Sequence, residues 1–418
     1  MKLSESPKFL HAINQIQSLP LGEILKRGLS KFIGIILVKP IFFPVALLLH
    51  IYNYRYVNIF TDRVGHLAIE PDTLIKAQLL GVVKPRKWIL LSPFNRTANT
   101  TLLEYWQRYF IIISNPFLCF LIRYLSWPNL MRFDCESYLR NIHGSQESYK
   151  IQKEWGNREP LLSLSGRDQA WGANMLKQIG VPPKAWFVCI HAREPGFSEV
   201  DDEIQAYRNS SITNLIPSIQ EIVRRGGWVV RLGDKTSSKL PTMAQTIDYA
   251  HHPLKCDRLD LVLCAKAKFI LGNTSGISLL GTIFGTPCAL ANLIPISTLW
   301  FTAKDISIFK LLWLKEDERY LPFYEAMATE SSSWQFSSLY EKHGILPIEN
   351  SAEDIRMLTV EMLGILEEKW RKSTELSLNN VAIKSAFKSH HYAYGSAATI
   401  AAFFLEKYKN ILFQCDVK

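Results

Sequence analysis

The sequence predicts an α/β protein built on doubly wound parallel sheets, and three features of it lead there. From Trp186 onward short apolar runs alternate with segments of helical period, the runs are apolar on both sides as in strands covered on both faces, and glycines punctuate the changes of texture. A chain of 418 residues is too long for one typical core, so two such domains are expected. Apolar residues at 48% and charged residues at 21%, with no low-complexity tract or solenoid repeat, exclude a disordered or repetitive chain.

The first element is the most apolar. "FIGIILVKPIFFPVALLLHI" (32–51) is about long enough to span a bilayer, yet Lys39, Pro40 and Pro44 interrupt it near its middle. Up to Arg55 there are seven bases against two acids, half of the net charge of +10. Residues 1–55 are therefore expected to form a membrane-associating segment, a broken helix in the interface with its lysines on anionic headgroups. A buried hairpin packed on the first domain is the alternative. The long polar lead and the lack of a small-x-small site disfavour a secretory signal.

The first domain is expected over 56–180. "YVNIF" reads as a buried strand, "TDRVGHLA" as a loop into a helix beginning near Pro71, and "KWILLS" as a second strand. Residues 104–125 mix helix, a strand "FIII" and an aromatic-rich helix whose Phe117 and Phe120 are expected in the core, with a lipid contact as the alternative. Glycine and tryptophan pairs over 154–184 mark a crossover and hinge.

The second domain, over 181–350, has the most regular texture. Strand "AWFVCIHA", helix "ITNLIPSIQEIVRRGG", strand "WVVRLG", helix "DRLDLVLCAKA", strand "KFILGN", helix "SGISLLGTIFG" and strand "PCALAN" follow one another. Leu215, Ile216, Ile219, Ile222 and Val223 fall at helical spacing, and Gly226-Gly227 supplies a left-handed stop. Residues 351–418 regain helical texture and are expected to pack back across the domains, without visible chemistry.

Several chemistries drop out. Seven cysteines without C-x-x-C spacing read as reduced thiols, and the pairs His251-His252 and His390-His391 lack companions at zinc-ligand spacing and read as surface residues. No Walker loop, no G-x-G-x-x-G after the first strand and no G-x-S-x-G elbow is present. The bases are not grouped with aromatics in a nucleic-acid-binding motif, so a non-enzymatic polyanion binder is a secondary reading.

Ligands of an open parallel sheet bind beyond the carboxyl ends of its strands. Four clusters occupy that edge: His191-Ala192-Arg193-Glu194, Arg231-Leu232-Gly233-Asp234, Asn273-Thr274-Ser275-Gly276, and Asn292. The third lies where a strand hands over to a helix, so its amides with Thr274 and Ser275 suit a phosphate, and Arg193 and Arg231 add forked donors. Together they describe a diphosphate cradle.

The succession "RVGHL", "CIHAREPGF", "GGWVVRLGD", "FILGNTSGISLLGTIFGTP" and "ANLIP" resembles a family of bacterial surface-polysaccharide glycosyltransferases of the GT-B fold, over about Tyr56 to Pro295. The resemblance implies two Rossmann-like domains facing a cleft, with the acceptor on the first and a nucleotide-sugar donor on the second. The H-x-R of His191 and Arg193 is similar to that of GT-B fucosyltransferases, which implies a donor-diphosphate contact for Arg193 and a donor-holding place for Thr274, Ser275 and Gly276; the acidic residue that follows in those enzymes is not clearly matched by Glu194 or by Asp201-Asp202.

Such a site displaces a nucleoside diphosphate from a sugar carbon with an acceptor hydroxyl. Arginines and helix-end amides could stabilise the leaving charge without a metal, and no cofactor is expected. His66 is the candidate base, in the loop where the similar GT-B heptosyltransferases carry an aspartate; Asp62 could orient or replace it, and Glu194 is a rival. A backbone-bonding role in a tight turn is the alternative for His66. The expected partners are a nucleotide sugar, a lipid-linked or oligosaccharide acceptor and an anionic membrane surface, and the expected place is the cytoplasmic face of the inner membrane. A nucleotide-sugar epimerase of the same fold is the rival enzyme.

Overall fold

The computed structural model describes residues 39–123, 132–134, 142–196, 198–368 and 374–413. The chain divides into two compact units, each discontinuous in sequence: one draws on Met1–Ile59, Arg86–Thr97 and Gln107–Asp134, the other on Phe60–Pro85, Ala98–Trp106 and Cys135–Lys418. Both are α/β, and both carry an all-parallel sheet.

In the first unit, β1 (Tyr54–Asn58), β2 (Lys87–Leu91), β3 (Phe110–Ile113) and β4 (Arg132–Asp134) pair in the order β3-β2-β1-β4, every pair parallel. The helices Lys39–Ile51 and Pro116–Arg123 each turn one side into a cluster of Ala46, Tyr56, Ile89, Leu91 and Cys119. At Pro44 the expected break does not occur. The helix Lys39–Ile51 carries that proline inside it. Residues 32–38 of the apolar segment lie outside the described residues, and among the described residues no helix is long and apolar enough to cross a membrane. The aromatic helix also departs from expectation, because Phe117 is 66% exposed rather than buried.

In the second unit, the strands are β5 (Phe187–Ile190), β6 (Trp228–Arg231), β7 (Thr246–Ile247), β8 (Ile270–Gly272), β9 (Cys288–Leu293), β10 (Ile306–Phe309), β11 (Leu311–Leu314), β12 (Arg319–Tyr320), β13 (Ile345–Ile348) and β14 (Thr399–Ile400). Seven of them form a parallel sheet in the order β14-β10-β9-β8-β5-β6-β7, and β12-β11-β13 form a small antiparallel sheet. Val188, Ile190, Ile270, Leu271 and Leu290 in the centre are wholly buried, which explains the unbroken apolar runs. Gly226 closes the helix Ile216–Arg224 at φ 82°, as its place in the sequence requires. The helix Ala352–Leu366, begun by a capping box between Ser351 and Asp354, packs on Ile216–Arg224 and on β9 and β10.

Two further expectations are corrected. The helix expected near Pro71 begins at Val64 and runs to Leu79 with the proline inside it. A proline there leaves the carbonyl of Leu67 without its helical donor, and the indole Nε1–H of Trp106 fills the gap at 2.9 Å. His391 is wholly buried rather than on the surface, and its Nδ1 accepts the amide of Lys388 at 2.9 Å.

Candidate active site

Two helices of the second unit, Val64–Leu79 and Gly276–Ile283, pack together at their first turns. Glycine is what allows it: a Cβ on Gly276 would stand 2.8 Å from the amide nitrogen of Gly65, and one on Gly65 would stand 2.8 Å from the Cα of Gly276. Neither helix has a side-chain cap, since Arg63 and Ser275 at the N-cap positions accept no amide. Two helix ends, each equivalent to about half a positive charge, therefore converge with their first amides unclaimed by caps. They open on a cavity of about 560 Å³.

Ser275 is diverted by His191. The imidazole sits at the end of β5, its Nδ1 at 3.2 Å from the carbonyl of Leu232 and its Nε2 at 3.0 Å from Ser275 Oγ. A carbonyl can only accept, so the ring proton belongs on Nδ1, and Nε2 accepts the serine hydroxyl. Burial pushes the pKa of His191 down to about 4, with Arg231 and Arg193 acting in the same sense, and the ring is neutral at pH 7.

Arginines supply the charge around the helix ends. Arg193 is held by Asn209 Oδ1 and, at 3.3 Å, by the carbonyl of Gln205, while its own amide donates to Asn273 Oδ1 at 3.2 Å. Arg208 lies beside it, donating to Gln205 Oε1 at 2.6 Å and to the carbonyl of Thr274. A buried lysine fixes the turn that carries both partners: Lys310 Nζ donates to the carbonyls of Tyr207 at 3.0 Å and Asn209 at 2.7 Å, and desolvation lowers its pKa to about 8. On another wall Lys255 pairs with Asp260 at 3.1 Å. Tyr149 stacks on Phe301 with ring centroids 4.7 Å apart and adds an aromatic side to the same cavity.

His66 stands on the first turn of Val64–Leu79, not in a loop. Its Nδ1 lies 2.5 Å from Oε1 of Glu70, one turn along, and Glu70 is buried. The carboxylate fixes the ring with Nδ1–H toward it and leaves Nε2 as the basic nitrogen. The edge of the Phe60 ring packs on the imidazole at 5.4 Å between centroids.

The cavity gathers most of the residues expected from sequence: Asp62, His66, His191, Arg193, Glu194, Gly233, Asp234, Thr274, Ser275 and Gly276 all line it. Three do not. Arg231 is wholly buried and locked between Glu194 Oε2 at 3.0 Å and Asp248 Oδ1 at 3.1 Å, so it is a structural cation rather than a phosphate donor. Glu194 also accepts the amide of Ser238 at 3.1 Å, which makes it a loop anchor rather than a free base. Asn273 is buried behind the cavity, tying Arg193 to Arg208 and Ser210. Asn292 exchanges amide bonds of 2.6 Å with Asn350 and takes no place at the edge. Asp234 accepts the amide of Thr236 at 2.7 Å. Among the described residues no group of three or more His, Cys, Asp or Glu is placed to hold a metal ion.

Glu70, Arg208, Lys255 and the Tyr149 to Phe301 wall were not expected. Glu70 carried a readable signal, the i, i+4 spacing from His66, hidden only by placing the helix start too late. Arg208 carried none, since no strand end or motif precedes it.

Fold and site together define an α/β protein in which two helix starts without side-chain caps meet beside a cavity. No protein-family model matches the chain, and no curated protein matches it. Among solved structures, the ADP-heptose LPS heptosyltransferase II of E. coli aligns at 13% identity over 56% of this chain and 84% of its own, with a TM-score of 0.35. The iron-containing dodecameric glycosyltransferase TibC of enterotoxigenic E. coli aligns at 13% identity over 76% of this chain and 77% of its own, with a TM-score of 0.41. The family 9 glycosyl transferase of Veillonella parvula aligns at 12% identity over 74% and 80%, with a TM-score of 0.35. Superpositions this loose carry no argument about this chain.

Proposed function

We propose that the protein is a glycosyltransferase that moves a sugar from a nucleotide-sugar donor to a glycan acceptor in surface-polysaccharide synthesis, with the donor's diphosphate on the two helix ends. The observation that carries the reading is the glycine-to-glycine meeting of two helix starts without side-chain caps, beside Arg193 and Arg208. Oriented amides and fixed guanidinium groups are what a diphosphate oxygen cluster needs, and they favour it most as the glycosidic bond breaks and negative charge collects there. In this reading residues 181–350 serve the donor and 56–180 the acceptor, as in a GT-B enzyme.

The acceptor hydroxyl forms the new bond to the anomeric carbon while the carbon–oxygen bond to the diphosphate breaks. Its proton passes to Nε2 of His66, held by Glu70. The aromatic side at Tyr149 and Phe301 would take a flat or apolar part of either substrate. Helix ends and arginines supply the positive charge, so the transfer is proposed to need no metal.

Calorimetric titration of the purified protein with UDP, GDP, ADP, CMP and dTDP and their sugar conjugates, with and without a chelator, tests the reading. Chelator-insensitive binding of one nucleotide, weakened in Arg193→Ala and Arg208→Ala, is expected. A folded wild type that binds none of them would overturn the diphosphate cradle.

A further inference from the structure

The first unit carries a surface that the cradle does not use. Along the helix Lys39–Ile51, Ile41, Val45 and Leu48 are spaced by four and three residues and are 72%, 44% and 56% exposed, and Tyr52 continues the stripe at 66%. The adjacent stripe of the same helix, Phe42, Ala46 and Leu49, packs into the buried cluster. The second helix, Pro116–Arg123, repeats the arrangement: Cys119 and Ile122 enter the same cluster, while Phe117 and Leu118 stay exposed. The two helices thus share one core and leave large apolar side chains outside it, which a monomer in water rarely does without a use for them.

Charge says what covers them. Over 39–59, 86–97 and 107–134 the unit has eight basic side chains and a single acid, Asp134. The guanidinium groups of Arg55 and Arg86 are near enough that the second lowers the pKa of the first, after the larger effect of burial. Lys87 and Arg108 are exposed. A second copy of this face would bring the same uncompensated positive charge and be repelled, whereas an anionic surface with an apolar interior satisfies both properties at once. Over the described residues the helix runs for 13 residues, roughly 20 Å, enough to lie along a bilayer interface.

We propose that the first unit docks on an anionic lipid bilayer through the composite apolar face of helices Lys39–Ile51 and Pro116–Arg123. The proposal rests on this unit's surface alone and does not depend on the transferase reading. It joins the apolar segment that the sequence assigns to the membrane with the aromatic helix for which a lipid contact was the alternative, as one two-helix platform folded into the domain.

Flotation of the full chain with vesicles tests it. Wild type is expected to float with phosphatidylethanolamine–phosphatidylglycerol vesicles, less as salt rises, and weakly with phosphatidylcholine alone. The variant Ile41→Ser/Leu48→Ser/Phe117→Ser changes exposed positions only, so its thermal melting should match wild type, and its vesicle affinity should fall roughly tenfold or more. Lys87→Gln/Arg108→Gln should weaken binding to the anionic vesicles and leave the neutral ones unaffected. Residues 1–38 are intact in every variant, so a loss belongs to the face. Wild type that ignores anionic vesicles, or a triple variant that floats as wild type does, overturns the proposal. So does a wild-type dimer by light scattering that the triple variant dissolves without any change in vesicle binding.

Discussion

Gly65 and Gly276 meet backbone to backbone: the Cβ that either lacks would come within 2.8 Å of main-chain atoms of the other. No flexible side chain stands between them to give way. Gly276→Ala should push the two helix starts apart, cost about 1–3 kcal/mol of stability and weaken nucleoside diphosphate binding in the same variant. Urea melting and calorimetry on one preparation read both; unchanged affinity would mean that the helix ends do not hold the anion.

The pair His66 and Glu70 makes a separate prediction, because it concerns the proton and not the diphosphate. His66→Gln should lower the rate of sugar transfer about 10²–10⁴-fold and leave nucleotide affinity as it was. Glu70→Gln should lower the rate less, by letting the ring turn, and Asp62→Asn should leave it near wild type. A rate indifferent to Glu70 would remove the carboxylate from the mechanism.

How much of this could be read beforehand depended on whether local pattern or distant contact decided each element. β5, β6, β8 and β9 and the helices between them were legible because a buried parallel strand must be apolar throughout and a glycine must close the helix Ile216–Arg224. The start of Val64–Leu79 was not, since Pro71 argues locally for a helix start there and only Trp106, distant in sequence, repairs the carbonyl that it orphans. That single displacement also concealed Glu70. Arg231 was misread for a related reason: a strand-end arginine looks the same in sequence whether it faces a ligand or is captured by Glu194 and Asp248.

Arg231 and Arg208 should therefore separate cleanly. Arg231→Met removes the buried cation that Glu194 and Asp248 share, and a loss of up to roughly 3 kcal/mol is expected in urea melting. Arg208→Ala should instead weaken nucleoside diphosphate binding by roughly 10- to 100-fold, the worth of one charged hydrogen-bonding group, with little change in melting. The reverse pattern would exchange their roles.

Acid stability offers a test through two opposed groups. Burial raises Asp305 from 3.8 to about 6, so the folded state holds an extra proton between those values and its stability is lost as pH rises through them. Burial lowers His191 from 6.5 to about 4, so there the unfolded chain holds the extra proton and stability is lost as pH falls. Each amounts to about 3 kcal/mol, and in the shared window near pH 4–6 they offset one another. Asp305→Asn should unmask a steep decline toward acid, and His191→Gln should unmask the opposite slope; urea midpoints across that range would show either, and parallel curves for all three proteins would refute both assignments.

The last strand of the large sheet has a consequence for how the chain is made. β14 seals the β10 edge, yet it is assembled from Thr399–Ile400, long after the ribosome has released the strand that it covers. Throughout that interval β10 presents an open ladder of amides and carbonyls, a template for the wrong neighbour. The same delay separates Val64–Leu79 from Gly276–Ile283, so the nascent chain carries one of the two meeting helix starts with nothing to close on it. A chaperone's attention during synthesis, rather than the stability of the finished protein, is where this topology makes its demand.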